Sequence, residues 1–402
     1  MNTRPMRVLP LTGVRVLDLS RLLPGGVASQ MLGDLGADVI KIEEPGLGDY
    51  GRLMPPLFNG MGLAYLATNR NKRSLALNLK NESGRDVFKR LAAQADVVLE
   101  SFRPGVLERL GVGYPQLREV NPRIIYCAIS GYGQHGPYAQ RAGHDINYLG
   151  YAGLLHHNRA GQDVPTMPAT QLADIAGGAL PAVIGILASL AGRANSDKGR
   201  LVDVSMMENA LALMPLLAAT TLNTGHEPAP GAGQLNGGLP AYRIYETKDG
   251  KAITLGALEP KFWATFCERA GRPDLLSLHQ PTDATEREEA RAALRALFLT
   301  RTRDEWVAEF AEIETCLGPV NTLSEALVDP QVEALGTVRR ADYGESFEFG
   351  TLALTPRIED VPFEVRHAPP ALGEQTREIL QAAGYSEDDL TRLRNEGAIW
   401  WP

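Results

Sequence analysis

The 402-residue chain carries 40 Lys+Arg against 48 Asp+Glu, a formal charge of −8, with 44% hydrophobic and 22% charged residues; this excludes disorder, a collagen repeat and a stapled mini-protein. At about 150 residues per domain the length predicts two to three domains, each able to bury its own core. A net-negative chain without a dense Lys/Arg block is a poor nucleic-acid binder, so an anionic ligand must meet a local basic patch.

In chain order, β-branched runs at Val14 to Leu19, Val39 to Ile42, Val97 to Leu99 and Ile124 to Ile129 alternate with helical patterns. The helical patterns are Ala28 to Leu35, Gly84 to Ala93 behind a Ser83 cap, and Gly105 to Leu110. Nearly continuous apolar strands separated by amphipathic helices predict a parallel sheet buried on both faces, a doubly wound α/β layer. The longest uncharged apolar stretch, Ile175 to Ala191, contains Gly177, Gly178 and Pro181, and reads as a buried helix, too short and broken for a membrane span. A strand at Leu201 to Val204 follows, then a Gly/Pro-rich linker or loop over 225–239. Two strands around Lys248-Asp249-Gly250 and three helices make a smaller α+β unit over 240–330. The tail over 331–402, helical from Gly373 to Asn395 with a Ser386 cap, returns to the first unit, 1–224.

Cys127, Cys267 and Cys316 are too few and too far apart for a disulfide framework or a cysteine metal site. No His/Cys/carboxylate set has metal-ligand spacing, and the adjacent His156 and His157 are expected to point apart, so no metal is predicted. The first residues lead into no apolar signal core, and a reducing, cytoplasmic setting is expected.

Gly131-Tyr132-Gly133-Gln134-His135-Gly136 fits the dinucleotide fingerprint on paper. Pro137 follows at once and no apolar helix opens, so the glycines are read as a sharp turn or a close backbone approach. Gly143-His144-Asp145-Ile146-Asn147-Tyr148 is the densest chemistry in the chain; on spacing alone His144 is as well explained by a structural hydrogen bond. Asp174 opens the apolar helix, where it either caps backbone N–H groups or is held at a dry site for chemistry. Gly177 and Gly178, costly in a helix, point to a close backbone or ligand approach. Glu259, before Pro260, either complements a helix dipole or takes part in chemistry. Arg70, Lys72, Arg73, Lys80, Arg103 and Arg109 place cations near strand ends, where nucleotides bind in such folds, though a solvated face explains them too.

Several segments in order resemble the class III CoA-transferase and 2-methylacyl-CoA racemase superfamily, the CaiB/BaiF type, over essentially the whole chain. They include Leu11 to Asp18, Leu32 to Glu43, Asn69 to Lys80, Glu100-Ser101-Phe102-Arg103-Pro104-Gly105, Ser130 to Gly133 and Ala173 to Gly178. Gly143 to Tyr148 and Glu259-Pro260 are similar to the α-methylacyl-CoA racemase branch. The resemblance implies an interlocked homodimer with a large Rossmann-like domain and a small domain, each active site lying between the large domain of one subunit and the small domain of the other. It implies an acyl-CoA thioester substrate, with CoA as its handle, no separate cofactor and no nucleic-acid or membrane partner. It carries acid/base roles onto His144 and Asp174 and a supporting role onto Glu259. CoA contacts fall on Arg73, Leu77, Asn78, Leu79, Lys80, Ser101, Phe102, Arg103, Arg109, Gly143, Asp145, Ile146, Asn147 and Tyr148. Glu44 stands where some racemases carry a basic residue near the adenosine, with Lys41, Arg70 or Arg73 as candidates to compensate.

Inverting a carbon α to a thioester needs one base and one conjugate acid on opposite faces. Imidazole and carboxyl reference values, about 6.5 and 3.9, must be drawn together for the exchange to run both ways. Burial beside the apolar helix is expected to raise Asp174. The expected activity is epimerisation of 2-methylacyl-CoA thioesters. A CoA-transferase with Asp174 as covalent nucleophile is the alternative, and a silent CoA-binding protein is a third reading. Met206, Met207 and Met214 offer either a greasy acyl surface or ordinary core.

Overall fold

The computed structural model describes residues 8–159, 164–343, 347–353 and 356–402. The chain divides into two compact units: one is Met1–Ala152, Ala169–Leu213 and Gly336–Pro402, the other Gly153–Pro168 and Met214–Leu335.

The first unit is built on six parallel strands, β1 (Arg15–Asp18), β2 (Asp38–Glu43), β3 (Lys72–Leu77), β4 (Val97–Glu100), β5 (Ile125–Ser130) and β6 (Leu201–Ser205). The tail strand Ile399–Trp400 pairs antiparallel with β3, giving the order tail–β3–β2–β1–β4–β5–β6. Val16, Leu17, Val97, Val98 and Leu99 are fully buried, as a doubly covered parallel sheet requires. The strand order runs outward in both directions from β1 and β4. Such a reversal leaves a crevice beyond the carboxyl ends of those two strands, because their following segments go to opposite faces.

Helix α1 (Leu22–Asp34) starts six residues before the expected Ala28; Pro24, Gly25 and Gly26 hid its first turn from the propensity argument. Helix α2 (Glu82–Ala92) is capped by Asn81, whose side chain accepts from the Gly84 N–H, and not by Ser83, which donates to Glu396. Ser386 caps Glu387–Asn395 as expected. β3 is absent from the sequence reading because Lys72 and Arg73 look solvated. Lys72 is instead 1% exposed, its ammonium donating to Asn69 Oδ1 at 2.8 Å and to the Gly26 carbonyl at 3.0 Å.

The apolar helix is longer than expected. After the helix Asp145–Tyr151, here α3, Leu172–Asp174 leads through a wide turn, Ile175–Ala179, into α4 (Leu180–Ser196). By length and composition Leu172–Ser196 could cross a membrane. Ala182, Val183, Ile186 and Ser189 are buried on one face, but Ile184 is 67% exposed, so the helix is half covered and not the fully buried one expected. Gly177 and Gly178 settle the question of what approaches: a Cβ on Gly177 would lie 2.7 Å from the Met206 carbonyl oxygen, and one on Gly178 3.2 Å from Pro24 Cβ. The approach is backbone and neighbouring side chain.

The second unit holds an antiparallel sheet of β7 (Tyr242–Glu246), β8 (Ala252–Gly256) and β9 (Leu317–Pro319). Helices Pro260–Arg269, Ala284–Phe298 and Arg303–Phe310 pack Trp263, Phe266, Phe298, Trp306 and Phe310 with Tyr245 into one aromatic core. The Gly/Pro-rich stretch 225–239 carries one irregular turn, Gln234–Gly238. Cys127, Cys267 and Cys316 are free thiols.

Candidate active site

The crevice at the β1/β4 reversal is a cleft of about 770 Å³, lined from every segment that leaves the carboxyl edge nearby: Arg21 to Pro24, Ser101 to Pro104, Ser130 and Gly131, Ala142 to His144, and Asp174. Its floor is built from buried charge. Asp49 pairs with Lys41 at 2.9 Å, both side chains at most 2% exposed, and accepts the N–H groups of Leu22 and Gly51. Leu22 adopts a left-handed φ of 61°, and this hydrogen bond holds it where α1 enters the cleft. A charge pair cut off from water costs desolvation unless every lone pair is used. Asp49 uses its lone pairs on backbone amides that shape the cleft.

His144 is exposed and stands immediately before α3 (Asp145–Tyr151). Its main-chain N–H donates to Asn147 Oδ1 at 3.0 Å, which leaves the imidazole at the cleft wall. Asp145, in the first turn, accepts the Asp174 N–H at 3.0 Å. That bond ties the histidine loop to the aspartate turn across 29 residues of sequence. The Asp174 side chain makes no helix cap, so the capping explanation of this residue fails and a half-buried carboxylate faces the cleft. Burial first and then the charge of Asp145 push its carboxyl up to about 6, with His144 pulling the other way. The value brings a carboxyl into the range where imidazoles titrate.

Tyr148 separates this pair from the glycine loop. Its hydroxyl donates to the Gly143 carbonyl, and burial together with Asp174 pushes the phenol up to about 12. A Cβ on Gly131 would sit 2.4 Å from the Tyr148 ring, and one on Gly143 2.7 Å from it. Gly131, the first glycine of the apparent fingerprint, is therefore there to let the chain pass Tyr148, whereas Gly133 and Gly136 serve turns at φ of 88° and 95°.

A second, smaller cleft is lined by Leu77 to Lys80, Glu44 and Leu107, and it shares Arg21 and Phe102 with the larger one. The expected CoA-contacting residues Leu77, Asn78, Leu79, Lys80, Ser101, Phe102, Arg103, Gly143, Asn147 and Tyr148 thus line one or other of two adjoining clefts. Asp145 and Ile146 sit on α3 beside them, and Arg109 ends the short helix Val106–Arg109. Glu44 is paired with Lys80 at 2.6 Å and with Arg21 at 3.6 Å.

Arg73 does not join them. It lies at the amino end of β3, in ion pairs with Asp38 at 2.7 Å and Glu378 at 2.9 Å, on the opposite edge of the sheet from the clefts. Lys41 and Arg70 are likewise committed, Arg70 to Asp34 at 2.6 Å. None of the three pairs with Glu44; Lys80 and Arg21 do, and sequence reasoning passed over Arg21. Its guanidinium lies over the rings of Tyr50 and Phe102, and a lone Arg after a strand gave no signal by which to find it. Met206 lines the larger cleft, whereas Met207 and Met214 do not.

Glu259 belongs to the second unit, exposed at the start of Pro260–Arg269, where its side chain caps nothing. His156 and His157 do not diverge as expected: both Nε2 atoms approach Glu227, at 3.8 and 3.3 Å, so one carboxylate draws the two adjacent rings together. Among the described residues no group of three or more His, Cys, Asp or Glu could hold a metal ion.

A family model described as CoA-transferase family III matches residues 11–376. Succinyl-CoA:glutarate CoA-transferase of Homo sapiens is 34% identical over 398 residues, covering 98% of this chain and 90% of its own. Alpha-methylacyl-CoA racemase of Homo sapiens is 34% identical over 396 residues, covering 97% of this chain and 98% of its own. A solved CAIB/BAIF family protein from Brucella suis superposes with a TM-score of 0.80 at 32% identity, covering 93% of this chain and 99% of that one.

Proposed function

We propose that this chain, which belongs to CoA-transferase family III, is a racemase-type member that interconverts R and S 2-methylacyl-CoA thioesters by proton transfer between His144 and Asp174. The observation that carries the reading is the pairing itself: an imidazole and a carboxyl raised to about 6 line one cleft and act electrostatically on each other. A transferase nucleophile needs an ionised aspartate and no histidine base. A reversible two-base exchange needs two groups of similar proton affinity on opposite faces of the α-carbon.

In the forward direction one group removes the α-proton and leaves an enolate of the thioester; the other returns a proton to the opposite face. Backbone N–H donors at the cleft stabilise the enolate oxygen. Protons balance within the pair, so no cofactor beyond the CoA handle enters the scheme. We further propose that a second copy completes the site by bringing its Glu259 to His144, supporting the imidazolium. The exposed apolar face of α4, Ile184 above all, is a surface that an interlocked dimer would cover.

The CoA-transferase reading retains one specific support. The succinyl-CoA:glutarate CoA-transferase is as similar in identity as the racemase, and an ionised Asp174 is the nucleophile that the transferase reading requires. Incubating an enantiopure 2-methylacyl-CoA with the protein in the absence of any free carboxylic acid separates the two. Racemisation is the expected result; no loss of optical purity, with CoA transfer once an acceptor acid is added, would establish the transferase.

A further inference from the structure

Glu100 ends β4 and opens the Glu100-Ser101-Phe102-Arg103-Pro104-Gly105 motif, yet it has no part in the proton transfer proposed above. The residue is 5% exposed. Its Oε2 accepts the Phe102 N–H at 2.6 Å, and it makes no salt bridge with Lys or Arg among the described residues. The titratable groups that bear on it are Glu108 from the helix Val106–Arg109, Tyr126 and Cys127 from β5, and Asp203 from β6. Every one of them is an acid or becomes an anion on titration. The residues it holds are the ones that face ligand: Phe102 lines both clefts, Arg103 lines the larger, and Ser101 Oγ accepts the Arg21 N–H at 3.1 Å, joining the loop to the start of α1.

We propose that Glu100 is a positioning residue that holds the 101–103 loop for CoA as a neutral carboxylic acid, so that losing its proton weakens binding of the CoA thioester. This rests on the CoA-thioester reading of the clefts. The carbonyl oxygen of a neutral carboxyl accepts the Phe102 N–H without adding charge. Ionisation releases one proton to solvent and sets a negative charge, with no Lys or Arg ion pair among the described residues, behind the loop whose Phe102 and Arg103 line the clefts proposed to take the CoA phosphates. Burial, reinforced by Glu108 and Asp203, outweighs the Phe102 N–H and Tyr126, which favour the charged form, and pushes this carboxyl up to about 8, which places the transition just above neutrality.

The test is titration of acetyl-CoA into the full-length protein by calorimetry between pH 7 and 9.5, with acetyl-CoA chosen because its sulfur does not titrate. For the native protein the Kd is expected to rise above pH 8, by up to about tenfold per pH unit where only the protonated form binds. Glu100→Gln, which keeps an acceptor for Phe102 N–H, should bind within about threefold of native at pH 7 and show no such rise. A native Kd that is flat with pH, or a Gln variant that keeps the rise, overturns the proposal. Glu108→Gln, on an exposed helix position, serves if the first variant folds poorly: removing that acid should move the rise to lower pH, and an unmoved rise counts against Glu100. Native protein that fails to bind acetyl-CoA at any pH contradicts the CoA reading itself.

Discussion

Asp174 is a carboxylate whose surroundings disfavour its charge, and in the proposed two-base exchange that elevation matches it to an imidazole. Its raised value has a direct kinetic consequence. When Asp174 acts as the base it must be ionised, so kcat/KM in that direction falls as pH drops below about 6. Asp145 contributes to the elevation through its charge while its Oδ1 holds the Asp174 N–H. Asp145→Asn keeps an acceptor and removes the charge. The acid limb of the pH–rate profile for that enantiomer should therefore shift to lower pH, with the change confined to the limb; a limb that stays in place would assign it to another group.

At the scale of elements, the turn Ile175–Ala179 is where sequence and packing meet. Gly177 costs about 1 kcal/mol of helix propensity relative to Ala, yet a Cβ there would lie 2.7 Å from the Met206 carbonyl oxygen. Overpacking against backbone costs about 1–3 kcal/mol, so with the propensity gain of about 1 kcal/mol subtracted Gly177→Ala should destabilise the protein by up to about 2 kcal/mol in urea unfolding. An equal or higher unfolding midpoint would mean that the turn has room to spare. The strands flanking the cleft were legible because Val16, Leu17 and Val97 to Leu99 are apolar throughout, and the Ser386 cap because Ser, a following carboxylate and helix pattern coincide locally. β3 was not legible, since Lys72 and Arg73 satisfy their charges on partners such as Asn69 and Asp38 that no local pattern reveals. The candidate site was readable to the extent that it is local: His144 to Tyr148 and Asp174 stand in dense motifs. Arg21 and the Lys41–Asp49 pair are joined to the cleft only by the fold, and Arg73 was misassigned because a cation near a strand does not say which end of the strand faces ligand.

At the scale of the whole molecule, the strand reversal between β1 and β4 sets the cleft in the first unit, while Glu259 is carried by the second. The proposed dimer makes a prediction that does not depend on any single subunit. Co-expressed His144→Ala and Glu259→Ala chains form some mixed dimers in which one site receives both native residues, if the assembly is the proposed one that pairs the large unit of each copy with the small unit of the other. With random pairing about a quarter of native activity should return from two individually impaired variants; activity no higher than that of either parent would place Glu259 outside the shared site. The most direct measurement is deuterium incorporation at C2 of each enantiomer of a 2-methylacyl-CoA in D₂O, for the native protein and for His144→Ala and Asp174→Asn. Exchange and loss of optical purity in the native protein, with each variant unable to racemise and losing exchange of the enantiomer whose α-proton it abstracts, is the predicted result. Native protein that leaves C2 unlabelled while moving CoA to a free acid would contradict the two-base account and make Asp174 a nucleophile.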